Sequence, residues 1–175
     1  MKNIIFYKSN TGFTKQYVDM LQNRIVPLEV YKVEKINKKL LEGADNVFFA
    51  GPLRNNVILG LSKFLKKYKY MKDKNIYVIA TGIQPPDDEK RDLVITTNRL
   101  DEYHVRLFLL LGGLDINKMK PLTKMMMKIS IKMAIKKDPS QKEMLEQRLN
   151  GSLNFVSNSN LDRLVDIYRR VNLRH

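Results

Sequence analysis

Five short apolar runs alternate with segments of helical period, and this alternation restricts the fold more than any other feature of the chain. Residues 4–7 are β-branched and aromatic enough for a strand, and Tyr17, Val18 and Leu21 follow at helical spacing within 14–21. Residues 30–33 read as a second strand, and Ile36, Leu40 and Leu41 as a short helix ended by Gly43. The stretch 47–51 is almost entirely apolar, as expected of a central strand covered on both faces. Val57, Ile58, Leu61, Phe64, Leu65 and Tyr68 then form one helical stripe, with Lys63, Lys66 and Lys67 opposite. Residues 76–80 supply a fourth strand, 81–88 a loop rich in Gly, Pro and Asp, and Leu93, Val94, Thr97 and Leu100 a helix. A fifth strand is expected over 105–112. The closing helix follows Asn158, Ser159 and Asn160, with Leu161, Leu164, Val165, Tyr168 and Val171 on one face. The expected class is α/β: a doubly wound, five-stranded parallel sheet with right-handed crossovers, in a single domain over 1–175.

Residues 115–151 exceed what a minimal five-strand fold needs and predict a helical insertion before the last helix. Its second helix should begin at Asp138, with Pro139 at the first helical position and Gln141 three residues after the cap. Lys120, Lys124, Lys128, Lys132 and Lys136 recur at helical spacing, while Leu122, Met125, Met126, Ile129, Met133 and Ala134 are apolar, so the two sets should occupy largely separate faces. Three uses fit this pattern. The apolar stripe could pack on its own domain beneath solvated lysines. Residues 120–137 could dock on an anionic membrane or beside a quinone. The Met-rich face could also meet an acidic partner or a second copy.

Lys and Arg number 32 against 18 Asp and Glu, a formal charge of +14, which suits phosphates, acidic proteins or anionic lipid. Nucleic acid is disfavoured because no recognised binding motif accompanies the charge. With no cysteine, disulfides, thiolate nucleophiles, zinc ribbons and iron-sulfur ligation are excluded; with only His104 and His175, a His-rich metal site or a serine triad is not expected. His104 reads as a packing or helix-end residue, and no metal is expected. The first apolar run is shorter than the roughly 7 residues of an export signal, and no run reaches the roughly 18 apolar residues of a membrane span. A cytoplasmic location is expected, with the basic segment allowing contact at the inner membrane face.

Directly after the first strand, Ser9, Asn10, Thr11, Gly12, Phe13 and Thr14 place three hydroxyls and a glycine before a helix N-terminus. A phosphate dianion suits this arrangement of unpaired amides, helix dipole and short hydroxyls; a polar turn capping the helix is the alternative. The spacing of an ATP-binding or NAD-binding loop is absent. The pattern Ser9-x-Thr11-Gly12-x-Thr14 resembles the FMN-phosphate loop of flavodoxins, a likeness that covers 1–112 and the last helix. The resemblance implies a flavodoxin-like strand order 2-1-3-4-5 with FMN, the expected cofactor, at the switch between strands 1 and 3. It also implies that the ring meets Pro52, Leu53, Arg54, Asn55 and Asn56 after strand 3, and Thr81, Gly82, Ile83 and Gln84 after strand 4. Arg54 is open to two roles, ordinary surface residue or ligand of a substrate carboxylate beside the ring.

Electron-carrier flavodoxins are acidic and hold the ring between aromatic side chains. This chain is basic, has no Trp and carries no aromatic in either ring loop. In Gly51-x-Leu53-Arg54, in Glu89-Lys90-Arg91 and in the Met- and Lys-rich stretch 118–137 it is similar to the branch that includes menaquinone-dependent protoporphyrinogen dehydrogenase. That resemblance implies an FMN-dependent oxidoreductase acting on a protoporphyrinogen-like substrate with quinone as acceptor. Electron transfer to an acidic redox partner and an FMN-free basic interaction module are the alternatives. No catalytic acid is identifiable, and Glu89, Lys90 and Arg91 read as a solvated helix start.

Overall fold

The computed structural model describes residues 1–119, 121–143, 146 and 152–173. Its strands are β1 (Asn3–Tyr7), β2 (Leu28–Lys32), β3 (Asn46–Arg54), β4 (Val57–Ile58), β5 (Asn75–Gly82), β6 (Arg106–Leu111), β7 (Gly113–Asp115) and β8 (Ser152–Asn154). The helices are α1 (Phe13–Arg24), α2 (Lys38–Glu42), α3 (Leu61–Leu65), α4 (Asp88–Asn98), α5 (Pro121–Lys137) and α6 (Asp162–Asn172). Strand alternation decides the layering. Ile4 and Phe6 join a core completed by Leu41 of α2, Phe64 of α3 and Val94 of α4. Ile5, between them in sequence, joins the opposite core with Tyr17 and Leu21 of α1 and Leu164 of α6. Parallel pairing gives the order β2-β1-β3-β5-β6, the predicted 2-1-3-4-5 of the main strands.

The N-terminal edge of this sheet is closed by a buried polar cluster. Asn46 Nδ2 donates to Asn3 Oδ1 at 2.9 Å and to Asn172 Oδ1 at 3.0 Å, and Tyr168 OH donates to Asn3 Oδ1 at 3.1 Å. Burial raises the phenols of Tyr77 and Tyr168 above the ordinary tyrosine range. All the predicted site loops lie at the opposite edge.

Two expectations are corrected. Val57 and Ile58 do not begin a helix: β3 runs on to Arg54 and turns back as β4, with Leu53 opposite Ile58 and Arg54 opposite Val57. Asn55 and Asn56 adopt φ of 49° and 65°, the left-handed pair that a tight hairpin turn demands and that Asn tolerates. Asn98 of α4 fixes the hairpin by accepting from Ile58 N at 2.9 Å and donating to Asn56 O at 2.7 Å. The helix that remains, α3, is five residues long.

The insertion also differs from expectation. An antiparallel pair, β7 with β8, closes its root. Asp138 caps a short 3-10 turn by accepting from Ser140 N at 3.1 Å; the helix expected beyond it falls largely outside the described residues, as do Lys120 and His175. On α5 the apolar residues divide between two faces. Ile131 is buried, with Met127 and Ile135 half-buried beside it, whereas Leu122, Met125, Met126, Ile129 and Met133 point outward. Among the described residues nothing buries the outward set, although Met126 also borders a cleft.

Gly51, where β3 passes the hairpin, has no room for a side chain. A Cβ there would stand 2.6 Å from the Leu59 carbonyl oxygen and 2.9 Å from Phe49 Cε1. Gly51→Ala should cost about 1–3 kcal/mol through overpacking, read as a lower urea midpoint; an unchanged midpoint would show that the hairpin yields freely.

Candidate functional site

Three loops reach the C-terminal edge of the sheet. The first connects β1 to α1. Gly12 precedes the helix with φ 96° and ψ −22°, a left-handed geometry natural to glycine, and no side chain caps the helix. Nothing lies within 4 Å of where a Cβ would be, so conformation and not crowding demands glycine here. Gln16 N donates to the Gly12 carbonyl at 3.0 Å, which leaves the amides of Phe13, Thr14 and Lys15 without partners inside the helix. Ser9 Oγ is shielded from solvent and has no hydrogen-bond partner among the described residues. A buried hydroxyl left in that state costs free energy that an oxyanion acceptor would recover. The loop therefore fits a phosphate group.

Neutral donors make up this cradle. Lys8, beside Ser9, is engaged with Glu34 Oε1 at 3.0 Å, and this contact, followed by a backbone hydrogen bond, holds the Glu34 carboxyl below the ordinary carboxylate range. Asn10 is exposed and Thr11 half-buried at the loop surface. The Phe13 side chain is buried under the β7–β8 pair, where a Cβ on Gly113 would run into its ring, so Phe13 offers the loop its backbone alone.

The second and third predicted loops meet in a cleft of about 430 Å³. Leu53, Arg54, Asn55 and Asn56 form one side, Gly82, Ile83 and Gln84 another, and Met126, Met127 and Ser130 of α5 a wall. Pro52 and Thr81 lie behind, paired across β3 and β5. The phosphate loop does not line this cleft but is tied to it: the hydroxyls of Thr14 and Thr81 are both buried and 2.7 Å apart. Because one proton suffices for that contact, a second hydroxyl proton remains to donate. Thus the structure brings two predicted loops together and joins the third to them by one hydrogen bond.

Sequence reading missed Lys90, which is no solvated helix start. Asp87 caps α4 by accepting from Lys90 N at 2.6 Å, and this places the Lys90 side chain over the cleft, donating to Asn56 Oδ1 at 2.6 Å and Gln84 Oε1 at 3.2 Å. An Asp three residues before a Lys, directly after a strand-ending loop, was the available sign. Among the described residues the cleft lining holds two cations, Arg54 and Lys90, no carboxylate and no aromatic ring. His104 is exposed, with its amide donating to Tyr68 OH at 3.1 Å.

A family model described as a flavodoxin domain matches residues 4–142. Among solved structures, a flavodoxin from the domain Archaea is 15% identical, with 63% of this chain and 83% of that one covered and a TM-score of 0.48. Two-electron reduced Megasphaera elsdenii flavodoxin is 14% identical over 85% and 98% of the two chains, with a TM-score of 0.46. A Fusobacterium nucleatum flavodoxin variant bound to flavin mononucleotide is 19% identical over 61% and 76%, with a TM-score of 0.39. Comparison with curated proteins gave no match.

Inorganic phosphate should raise the melting temperature of this protein, since a ligand at about 100 times its Kd adds about 2.7 kcal/mol to stability. Ser9→Ala should weaken phosphate about 10- to 100-fold, the value of one lost hydrogen bond to a charged group. An equal shift in both proteins, or none in either, would exclude Ser9 from the cradle.

Proposed function

Because the chain belongs to the flavodoxin domain family, we propose that it binds FMN and works as an FMN-dependent oxidoreductase on an apolar, anionic substrate. The supporting observation is the junction of a capless helix start, holding the buried Ser9 hydroxyl, with a cleft whose lining is apolar apart from amides, one hydroxyl and two cations, neither of which meets a carboxylate among the described residues. Ser9, Thr11, Gly12 and Thr14 would hold the phosphate, with the amides of Asn10 and Phe13. Leu53, Asn55, Gly82, Ile83 and Gln84 would border the ring. When bound, FMN supplies a ring that accepts electrons and passes them on.

The chain's own part is binding and electrostatics. Leu53, Ile83 and Met126 give the cleft apolar walls, and Asn56 and Gln84 hold the Lys90 ammonium in place. Arg54 can take a carboxylate through two parallel N–H donors. A positive charge about 5 Å from a negative one, at an effective dielectric of about 20, is worth about 3 kcal/mol, whereas charges beyond about 8–10 Å are screened by salt. Arg54 and Lys90 therefore outweigh the lysines elsewhere in selecting an anion. The lining contains no Asp, Glu, His or Tyr among the described residues, so protons are exchanged with solvent.

Within this class we place a protoporphyrinogen-like tetrapyrrole as substrate and a quinone as acceptor, since propionate groups suit Arg54 and Lys90 and an apolar macrocycle suits the Leu and Met walls. Electron transfer to an acidic redox partner is the second reading, favoured by the net charge of +14. Purified protein reconstituted with FMN should show flavin absorbance and oxidise protoporphyrinogen when quinone is present. Arg54→Gln should retain FMN yet lower kcat/KM about 10- to 100-fold, mainly through KM. Flavin-loaded protein that reacts only through a partner would leave the electron-transfer reading; colourless protein that takes up no FMN would remove both.

A further inference from the structure

Helix α5 spans about 25 Å at 1.5 Å per residue and presents two apolar faces. Ile131, with Met127 and Ile135, faces the domain, while Leu122, Met125, Met126, Ile129 and Met133 face outward, each between 50% and 68% exposed. At about 100° per residue the outward side chains fall within one sector of roughly 100°. Lys128 and Lys132 run along one border of that sector, Lys136 enters it at the last turn and Lys137 stands at the other border, all exposed. Residues 121–137 contain five lysines and no Asp or Glu. Such a face is costly to leave in water.

From this arrangement we infer that the outward face of α5 lies in the headgroup region of an anionic lipid bilayer. The helix is too short and too charged to span: no helix among the described residues is long and apolar enough to cross a membrane. It is instead built to lie flat. Leu122, Met125, Ile129 and Met133 enter the boundary between headgroups and acyl chains, and the flanking lysines reach back to lipid phosphates. The sign of the charge selects the occupant, because a cation-bordered apolar strip with no acid offers nothing to the equally basic surface of a second copy of this chain. Since Met126 belongs to the outward set and also lines the cleft, docking sets the cleft mouth beside the lipid.

Flotation of the 175-residue chain with vesicles tests this. The protein should float with vesicles of phosphatidylcholine mixed with phosphatidylglycerol and stay behind with phosphatidylcholine alone, and added salt should release it. Changing Lys128, Lys132 and Lys136 together to Glu should lower partition about 100-fold or more. Changing Met125, Ile129 and Met133 together to Gln, with the lysines intact, should lower it at least about tenfold. Far-UV circular dichroism and the phosphate-dependent rise in melting temperature report whether each variant keeps the fold. No flotation with the mixed vesicles, equal flotation with both kinds, or undiminished flotation of the folded Gln variant would each overturn the proposal. So would sedimentation of the protein as a dimer that dissociates on the Gln changes in the absence of lipid.

Discussion

β3 is shielded from water on both faces from Asn46 to Gly51, and the remaining architecture follows from that enclosure. A strand covered on both sides needs partners whose connections cross over the faces, which in a parallel sheet delivers all the strand ends to one edge. Stacking of Phe48 on Tyr77, with ring centroids 4.6 Å apart, and the ladder from β1 through β3 to β5 hold the emerging ends in fixed relation. The candidate site is composed of what extends beyond this ladder: the turn after Tyr7, the hairpin after Gly51 and the loop after Thr81.

At that edge the chain presents two different chemistries to a negative charge. The turn before α1 offers amides and hydroxyls, and Lys8 beside it is occupied by Glu34. The cleft offers full charges, Arg54 and Lys90, among apolar walls. Neutral donors at a helix start suit a group held permanently, because hydrogen bonds fix its orientation. Guanidinium and ammonium groups at an open cleft suit a group that arrives and leaves, since Coulomb attraction draws ligands in over longer distances.

Where chemistry was local, the sequence was easy to read. The hydroxyl and glycine turn announced itself at the first strand-helix junction and the alternating apolar runs showed the α/β class, whereas the strand order came only from the resemblance to flavodoxins that the turn carries. Long-range contacts were harder to find. Val57 and Ile58 sit at positions that satisfy a helix stripe and a strand equally well, and only the left-handed backbone at Asn55 and Asn56 with the clamp from Asn98 decides for the hairpin. Lys90 looked like one charge in a charged triplet; its part in the cleft arises from the Asp87 cap, which sets the side chain's direction. On α5, residue types showed that lysine and apolar positions fall on largely separate faces, but not that the apolar residues divide between a face turned to the domain and one turned away.

Phe13 and Gly113 belong to distant parts of the chain and meet in one space: a larger residue at 113 would run into the Phe13 ring and into the Leu153 carbonyl oxygen. In mutational terms the two positions form a coupled pair, whose free-energy effects are not additive. Drift at the root of the insertion is thereby constrained by the turn before α1. A smaller residue 13 would remove only part of the obstruction, because the Leu153 carbonyl oxygen of β8 also stands where a side chain at 113 would begin, so the root of the insertion holds residue 113 to glycine from two sides.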